Sequence, residues 1–193
     1  PGPHQDTPAS TRTDGHGRVI STTERLHVGR SIEERHTRTQ YLPTGEPEVI
    51  TRVRASGSDQ VTRWMRYDSL GRMVLNVEPN TTENFNPNPS TNADSLDAWR
   101  YAYNDAGDLI GTSDARGCGQ NFFYDGAGRL TAEDYAPCED HHPDYSLADP
   151  TSGVGAEVLY VYDGVPSTLL SGFTRPPAYD ASSPFLRGRG AAV

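Results

Sequence analysis

The densest collection of chemically capable side chains is Cys138-Glu139-Asp140-His141-His142-Pro143-Asp144, with Cys118 further upstream. Two thiols and two imidazoles could give zinc a Cys/Cys/His/His set, because thiolate and imidazole are the ligands that a tetrahedral zinc site takes. The spacing is poor for it: His141 and His142 are adjacent, so on an extended chain they point to opposite sides. The same cysteines could instead form a disulfide or stand as two free thiols, and the carboxylates and imidazoles could simply form a solvated loop. Signatures of nucleophilic or phosphate chemistry are missing from the sequence. There is no G-x-S-x-G, H-E-x-x-H, P-loop or G-x-G-x-x-G in strand–helix context. Gly153-Val154-Gly155-Ala156-Glu157-Val158 lacks the third glycine, and Leu42-Pro43-Thr44-Gly45 lacks the residue that a sortase signal carries between Pro and Thr. The expectation is a protein that is not an enzyme and takes no cofactor or metal.

Asp14, Asp68 and Asp125 are further candidate carboxylates, and a turn explains each of them. In Tyr67-Asp68-Ser69-Leu70-Gly71-Arg72-Met73-Val74 an aromatic residue ends one strand-like run and Arg72 opens the next. Asp at the first position of a type I turn hydrogen-bonds the backbone two residues on, and Gly at the fourth takes the left-handed conformation. A type I turn followed by such a glycine is a common hairpin connection. Tyr124-Asp125-Gly126-Ala127-Gly128-Arg129-Leu130 repeats the stretch almost letter for letter. Tyr103-Asn104-Asp105-Ala106-Gly107-Asp108 keeps Tyr, an Asx residue and Gly, but puts Asp108 in place of Arg. Tyr41-Leu42-Pro43-Thr44-Gly45 keeps Tyr and Gly, and Thr13-Asp14-Gly15-His16-Gly17-Arg18 lacks only the aromatic residue. Tyr162-Asp163-Gly164-Val165-Pro166 has Pro where Gly belongs. One such turn would mean little; this many at matched offsets form an internal repeat with variable insertions.

The approach strands carry side chains at period two: Trp99, Tyr101 and Tyr103; Phe122 and Tyr124; Val158, Tyr160 and Tyr162. That period puts each set on one face of a sheet, where stacked hairpins would line the aromatics into columns. The columns could be structural packing or a platform for carbohydrate. Residues 1–12 read as a tail. Residues 13–165 read as the repeat region, with insertions at 78–97 and 136–156, and residues 166–193 as an irregular segment. Within the repeat region, Glu33-Glu34-Arg35-His36-Thr37-Arg38 is compatible with a helix or an exposed strand, the β-branched alternation favouring the strand. Asn80-Thr81-Thr82 matches a glycosylation acceptor. If the last full hairpin pairs Asp125 with Arg129 and keeps that register, Cys118 faces Ala136. A diagonal bridge to Cys138 then needs only a bend after Pro137.

Only 34% of the 193 residues are hydrophobic, against 19 Gly and 15 Pro, which fits a thin sheet wet on at least one face. A net charge of -9 argues against nucleic acid as a partner, since phosphate needs a basic surface. All 17 basic residues are Arg, a pattern that codon bias in a GC-rich genome explains. No apolar run approaches the roughly 20 residues of a membrane helix. The chain opens on Pro1 and shows no obvious repeat caps, so it reads as a segment of something longer.

The unit from Tyr103 to Leu130, with Asp114-Ala115-Arg116-Gly117 between its two Tyr-led turns, resembles the YD-repeat, or Rhs-repeat, family. The resemblance covers about residues 11 to 165. It implies an all-β fold of stacked antiparallel hairpins forming part of a sheet that spirals into a hollow shell. It implies structural roles for Tyr41, Gly45, Tyr67, Asp68, Gly71, Arg72, Tyr103, Gly107, Tyr124, Asp125, Gly128, Arg129, Tyr162 and Asp163. Tyr would pack between hairpins, Asp and Gly would set the turn, and Arg could bridge to an acidic neighbour. In bacterial Rhs proteins and insecticidal toxin complexes the shell encloses a C-terminal toxic polypeptide; in teneurins a related shell serves adhesion. The expected partners are therefore other segments or subunits of a larger assembly, an enclosed toxin polypeptide, or a glycan. The expected location is secreted or cell-surface, where a Cys118–Cys138 disulfide would persist.

Overall fold

The computed structural model describes residues 6–54, 57, 59–79, 81, 97–138, 143–145, 154–163 and 190–192. Among these residues every regular element is a strand. Strands β1 (Ser10–Thr13), β2 (Val19–Val28), β3 (Ser31–Tyr41), β4 (Pro47–Arg54), β5 (Gln60–Tyr67) and β6 (Met73–Val77) come first. They are followed by β7 (Trp99–Tyr103), β8 (Leu109–Ser113), β9 (Gly119–Tyr124), β10 (Leu130–Ala136) and β11 (Val158–Leu159). These eleven strands form one antiparallel sheet in which hydrogen-bonded order is sequence order, so consecutive hairpins build all of it. The expected all-β stack of hairpins is the architecture of the chain. The run Glu33–Arg38 lies inside β3 as a strand, mostly half-buried rather than exposed because β2 flanks all of it and β4 pairs from Arg35 on.

The chain divides into two compact units, Pro1–Arg100 and Tyr101–Val193. In the first, the turns Asp14–Gly17, Leu42–Gly45 and Asp68–Gly71 close β1–β2, β3–β4 and β5–β6, and so lie at one end of the strands. The turns at Gly29 and Gly57 lie at the other end, as does Glu78, where the first insertion begins. Most residues here are half-exposed; Met65, Val77 and Ala98 are buried, with Val77 opposite Trp64. Glu78 receives the Arg63 guanidinium at 2.7 Å and the Asn76 amide at 2.9 Å, which anchors the start of the first insertion. Asn80 and most of that insertion lie outside the described residues.

In the second unit the turns Asn104–Gly107 and Asp125–Gly128 share one end, and Asp114–Gly117 lies at the other. Residues 143–145, from the second insertion, lie over the sheet rather than forming a wholly solvated loop. Tyr145 is buried edge-on against Phe123, with ring centroids 4.9 Å apart at 78°, and its N–H donates to buried Asp134 at 3.2 Å. Gly155 makes that layer possible, because a Cβ there would stand 2.5–2.6 Å from the backbone of Pro143, Asp144 and Tyr145.

Three boundaries differ from expectation. The N-terminal tail is shorter than 1–12, because Ser10–Arg12 pair with Ser21–Thr23 in β1. Ala136 belongs to β10 rather than to the second insertion. The 166–193 segment is not irregular throughout: β13 (Gly190–Ala192) pairs with β12 (Val161–Tyr162) as a two-stranded sheet. Residues 164–189 lie outside the described residues.

Candidate functional site: the repeated turn lock

Six turns among the described residues share one backbone. The N–H of the fourth-position Gly donates to the first-position carbonyl at 2.9–3.1 Å, and the first-position N–H donates to the carbonyl four residues on at 2.7–3.0 Å. The six glycines have φ between 76° and 115°, a region that costs any residue with a Cβ. The extra residue breaks the ladder: Tyr41 pairs with Pro47 although Gln40 pairs with Val49, and Tyr67 pairs with Met73 although Arg66 pairs with Leu75.

Where the first position is Asp and the fifth Arg, the side chains close the turn in the same way three times. In Asp14, Asp68 and Asp125, Oδ1 accepts the N–H two residues on at 2.9 Å and the N–H four residues on at 3.0 Å. Oδ2 then accepts Nε of Arg18, Arg72 or Arg129 at 2.7 Å. The backbone N–H groups of Arg72 and Arg129 are the largest cause holding Asp68 and Asp125 below the ordinary carboxylate range, with the guanidinium adding to it against some desolvation. For Asp14 desolvation is the largest single influence, and it raises the pKa. The hydrogen bonds from Arg18 and His16 together outweigh it, so the carboxyl is lowered.

The variant turns keep the logic with different atoms. Asn104 inverts the polarity: its Oδ1 accepts the Asp108 N–H at 2.8 Å, while its Nδ2 donates to Asp108 Oδ2 at 3.0 Å. The exchange of Arg for Asp at position 108 is thus matched by the exchange of Asp for Asn at 104. Asp114 has Cys118 at the fifth position and takes Arg116 instead, at 2.7 Å. That guanidinium is the main cause of its lowered pKa. In the Leu42 turn, Glu46 fills the fifth position and reaches the following turn, its Oε1 lying 2.9 Å from where a Cβ on Gly71 would stand.

In three copies a tyrosine also ties the turn to the one before it at the same end. Tyr41 Oη donates to the Val19 carbonyl at 2.9 Å, Tyr67 Oη to Pro47 at 3.0 Å, and Tyr124 Oη to Leu109 at 2.9 Å. In each case the acceptor is the residue just after the fifth position of the preceding turn at that end. Arg18 lies over the Tyr41 ring at 4.7 Å, and Arg129 over the Tyr162 ring at 4.4 Å. Arg129 also donates to Asp163 at 3.0 Å. The structure therefore gathers Asp68, Gly71 and Arg72 into one lock and Asp125, Gly128 and Arg129 into another, the latter joined to Tyr162 and Asp163. Tyr41 and Gly45, like Tyr103 and Gly107, occupy the same positions in their own turns. Asp163 does not repeat the local geometry: its φ is 62°, whereas Asp14, Asp68 and Asp125 do not have positive φ.

The turn at Asp114–Gly117 has Ser113 in place of Tyr and Cys118 in place of Arg, so only its Asp-x-x-Gly marks it in the sequence. Tyr145 had no local signal, since its burial depends on Phe123, Asp134 and Gly155 coming together.

Cys118 and Cys138 form a disulfide with their Cα atoms 5.0 Å apart. The register that brings them together differs from expectation. Tyr124 pairs with Leu130, but the bulge at Thr131 moves the ladder by one, so Ala136 faces Gly119 and not Cys118. The shift carries the chain toward Cys138, and the Asp114 turn fixes Cys118 through its N–H at 3.1 Å. The bridge takes both thiols out of any metal set, and no group of three metal-capable residues occurs among the described residues. Glu139, Asp140, His141 and His142 lie outside them. The remaining cluster joins Tyr160 and Tyr135 to Glu133 at 2.7 and 3.1 Å. The hydrogen bond to Glu133, with desolvation, pushes Tyr160 up to about 12, which keeps the phenol protonated and donating to that carboxylate.

What fold and lock define together is a sheet of consecutive hairpins with a repeated, self-ratcheting turn. No family model matches the chain. Among curated proteins none matches it either.

Proposed function

We propose that the chain is a structural segment of a YD-repeat shell that encloses or presents a C-terminal toxic polypeptide in a bacterial secreted protein. The observation that supports this reading is the inter-copy lock: Tyr41 hydrogen-bonds the strand that follows the Arg18 turn while Arg18 covers the Tyr41 ring. Such a contact specifies the next hairpin from the last and serves a wall better than a pocket. The Cys118–Cys138 bridge suits an oxidising destination. Electron microscopy of the parent gene product, with limited proteolysis, tests the reading. A closed wall with a protease-protected polypeptide inside is expected; an open sheet with nothing enclosed would overturn it.

One observation favours a second reading, a module for glycans or a cell-surface partner. Trp99 on β7 is 40% exposed, and an indole at a sheet surface can stack on a sugar ring. Glycan-array binding that disappears in Trp99→Ala without loss of fold would support it. Absence of any array signal would remove it.

A further inference from the structure

The β2–β3 hairpin outruns its neighbours. β1 pairs with β2 only as far as Thr23, and β4 pairs with β3 only from Arg35 onward. The reason β4 stops is a turn, in which the Gly57 N–H donates to the Arg54 carbonyl at 2.8 Å. Glu24–Val28 and Ser31–Glu34 therefore project as a two-stranded finger, about 15 Å long at ~3.3 Å per residue. A two-stranded ribbon alone is marginal in water, and an uncovered strand edge invites another strand.

This finger is not merely a solvated tip. Leu26, Val28 and Ile32 are 46%, 49% and 44% exposed. The two edges also differ. On the β2 side, Arg25 reaches back to the Pro8 carbonyl at 2.9 Å, so residues before β1 run along that edge. On the β3 side, Ser31–Glu34 have no strand partner beyond β2 among the described residues.

We propose that the Ser31–Glu34 edge is a docking site for a second copy of this chain, two β3 strands pairing antiparallel about a two-fold axis at Ile32. The register follows from charge. Centred on Ile32, the pairing sets Ile32 against its own counterpart on the face that also carries Glu34, and it brings Arg30, in the turn just before β3, to the end of the strand where Glu34 of the partner subunit lies. Centred on Glu33, it would oppose two carboxylates. Arg30 has no ion-pair partner among the described residues, whereas Glu34 already holds Arg25 of its own hairpin at 2.8 Å. The new contact would extend that pair into a row of Arg25, Glu34 and the incoming Arg30. An edge this short makes a weak dimer, populated as concentration rises.

Sedimentation of the whole chain over a range of concentrations, with charge exchange in trans, tests the proposal. The wild type should show a monomer–dimer equilibrium, weakened at least ten-fold in Arg30→Glu and in Glu34→Arg. Mixing the two variants should restore dimers, because each supplies the charge that the other lost. Ile32→Cys should cross-link on oxidation and Ser31→Cys should not, a readout that stands even if Glu34→Arg folds poorly. A monomer at every concentration, or association indifferent to both reversals, would overturn the proposal. The latter result would point to the β1 edge or another surface.

Discussion

The guanidinium of Arg18 lies 4.7 Å from the centre of the Tyr41 ring, although the two residues belong to different copies of the turn. Asp14 holds that guanidinium through its Nε at 2.7 Å, and Tyr41 sends its own hydroxyl to the backbone just beyond it. One copy therefore builds the surface on which the next one seats. Tyr124→Phe removes the corresponding hydroxyl donor and leaves the Leu109 carbonyl without it. A loss of about 1 kcal/mol in denaturant unfolding is expected. No loss would mean that ring packing alone carries the contact.

Gly71→Val and Gly128→Val should each cost more than ~1 kcal/mol, since a β-branched residue is strained at φ of 78° and 76°. The two should differ. A Cβ at Gly128 meets nothing within 4 Å, whereas one at Gly71 would stand 2.9 Å from the Glu46 carboxylate. Thermal melts should therefore rank Gly71→Val as the more damaging. Equal effects would show that the backbone term dominates at both turns.

At Asn104 the inverted pair makes a sharp forecast. Asn104→Asp sets a carboxylate against Asp108, where an amide now donates at 3.0 Å. The melting temperature should fall at neutral pH and recover in part as either acid protonates. Adding Asp108→Arg to the same variant should rebuild the lock seen at Asp68 and restore stability at neutral pH. A double variant no better than the single would mean that the surroundings, not the pair, fix this turn.

Stability should decline on the acid side through the lock aspartates. Asp14, Asp68, Asp114 and Asp125 are all lowered from an ordinary value near 3.8. Their contribution is fully present above that value and is lost as pH falls through the depressed folded-state values. Tyr160 acts oppositely, its contribution being present below pH ~10 and lost as pH rises through about 12. A melting curve flat from pH 5 to 9 that falls away at both extremes is expected. The acid limb should weaken with salt, because these groups lie at the surface.

Reducing Cys118–Cys138, or replacing both residues with Ser, should remove about 3 kcal/mol, the usual value for closing a loop of about this length. Alkylation of the native oxidised protein should find no free thiol. Two alkylatable thiols would refute the bridge.

Much of this was legible in advance because the information is local. Asp, Gly and Arg at fixed offsets in 68–72 and 125–129 determine a turn without help from the rest of the chain. Period-two aromatics likewise gave the strands. What was not legible depends on counting across a defect or on distant partners. The bulge at Thr131 moves Cys118 by one register step, and no residue in that stretch announces it. Tyr145 is buried only because Gly155 leaves space for residues 143–145 to pass. In Asn104–Asp108 the inverted pair was visible as two departures from the pattern, but their compensation needs the donor and acceptor atoms to be placed. Arg129 was expected to meet an acidic neighbour; it meets two, Asp125 in its own turn and Asp163 beyond.

The two long insertions leave from the ends of β6 and β10, the opposite ends of those strands from the Asp68 and Asp125 turns. An added residue inside a lock turn would throw every later side chain to the wrong face. Extra residues at the far margin change only a loop, and doubling a loop costs roughly 0.6 kcal/mol. Within each unit the Tyr-led turns thus keep phase at one end of the strands and the insertion takes up length at the other, where in the second unit it shares the end with the Asp114 turn. Sequence drift in such a protein should accumulate as indels at the insertions, and chimaeras should be joined there, with each Tyr-to-Arg turn left whole.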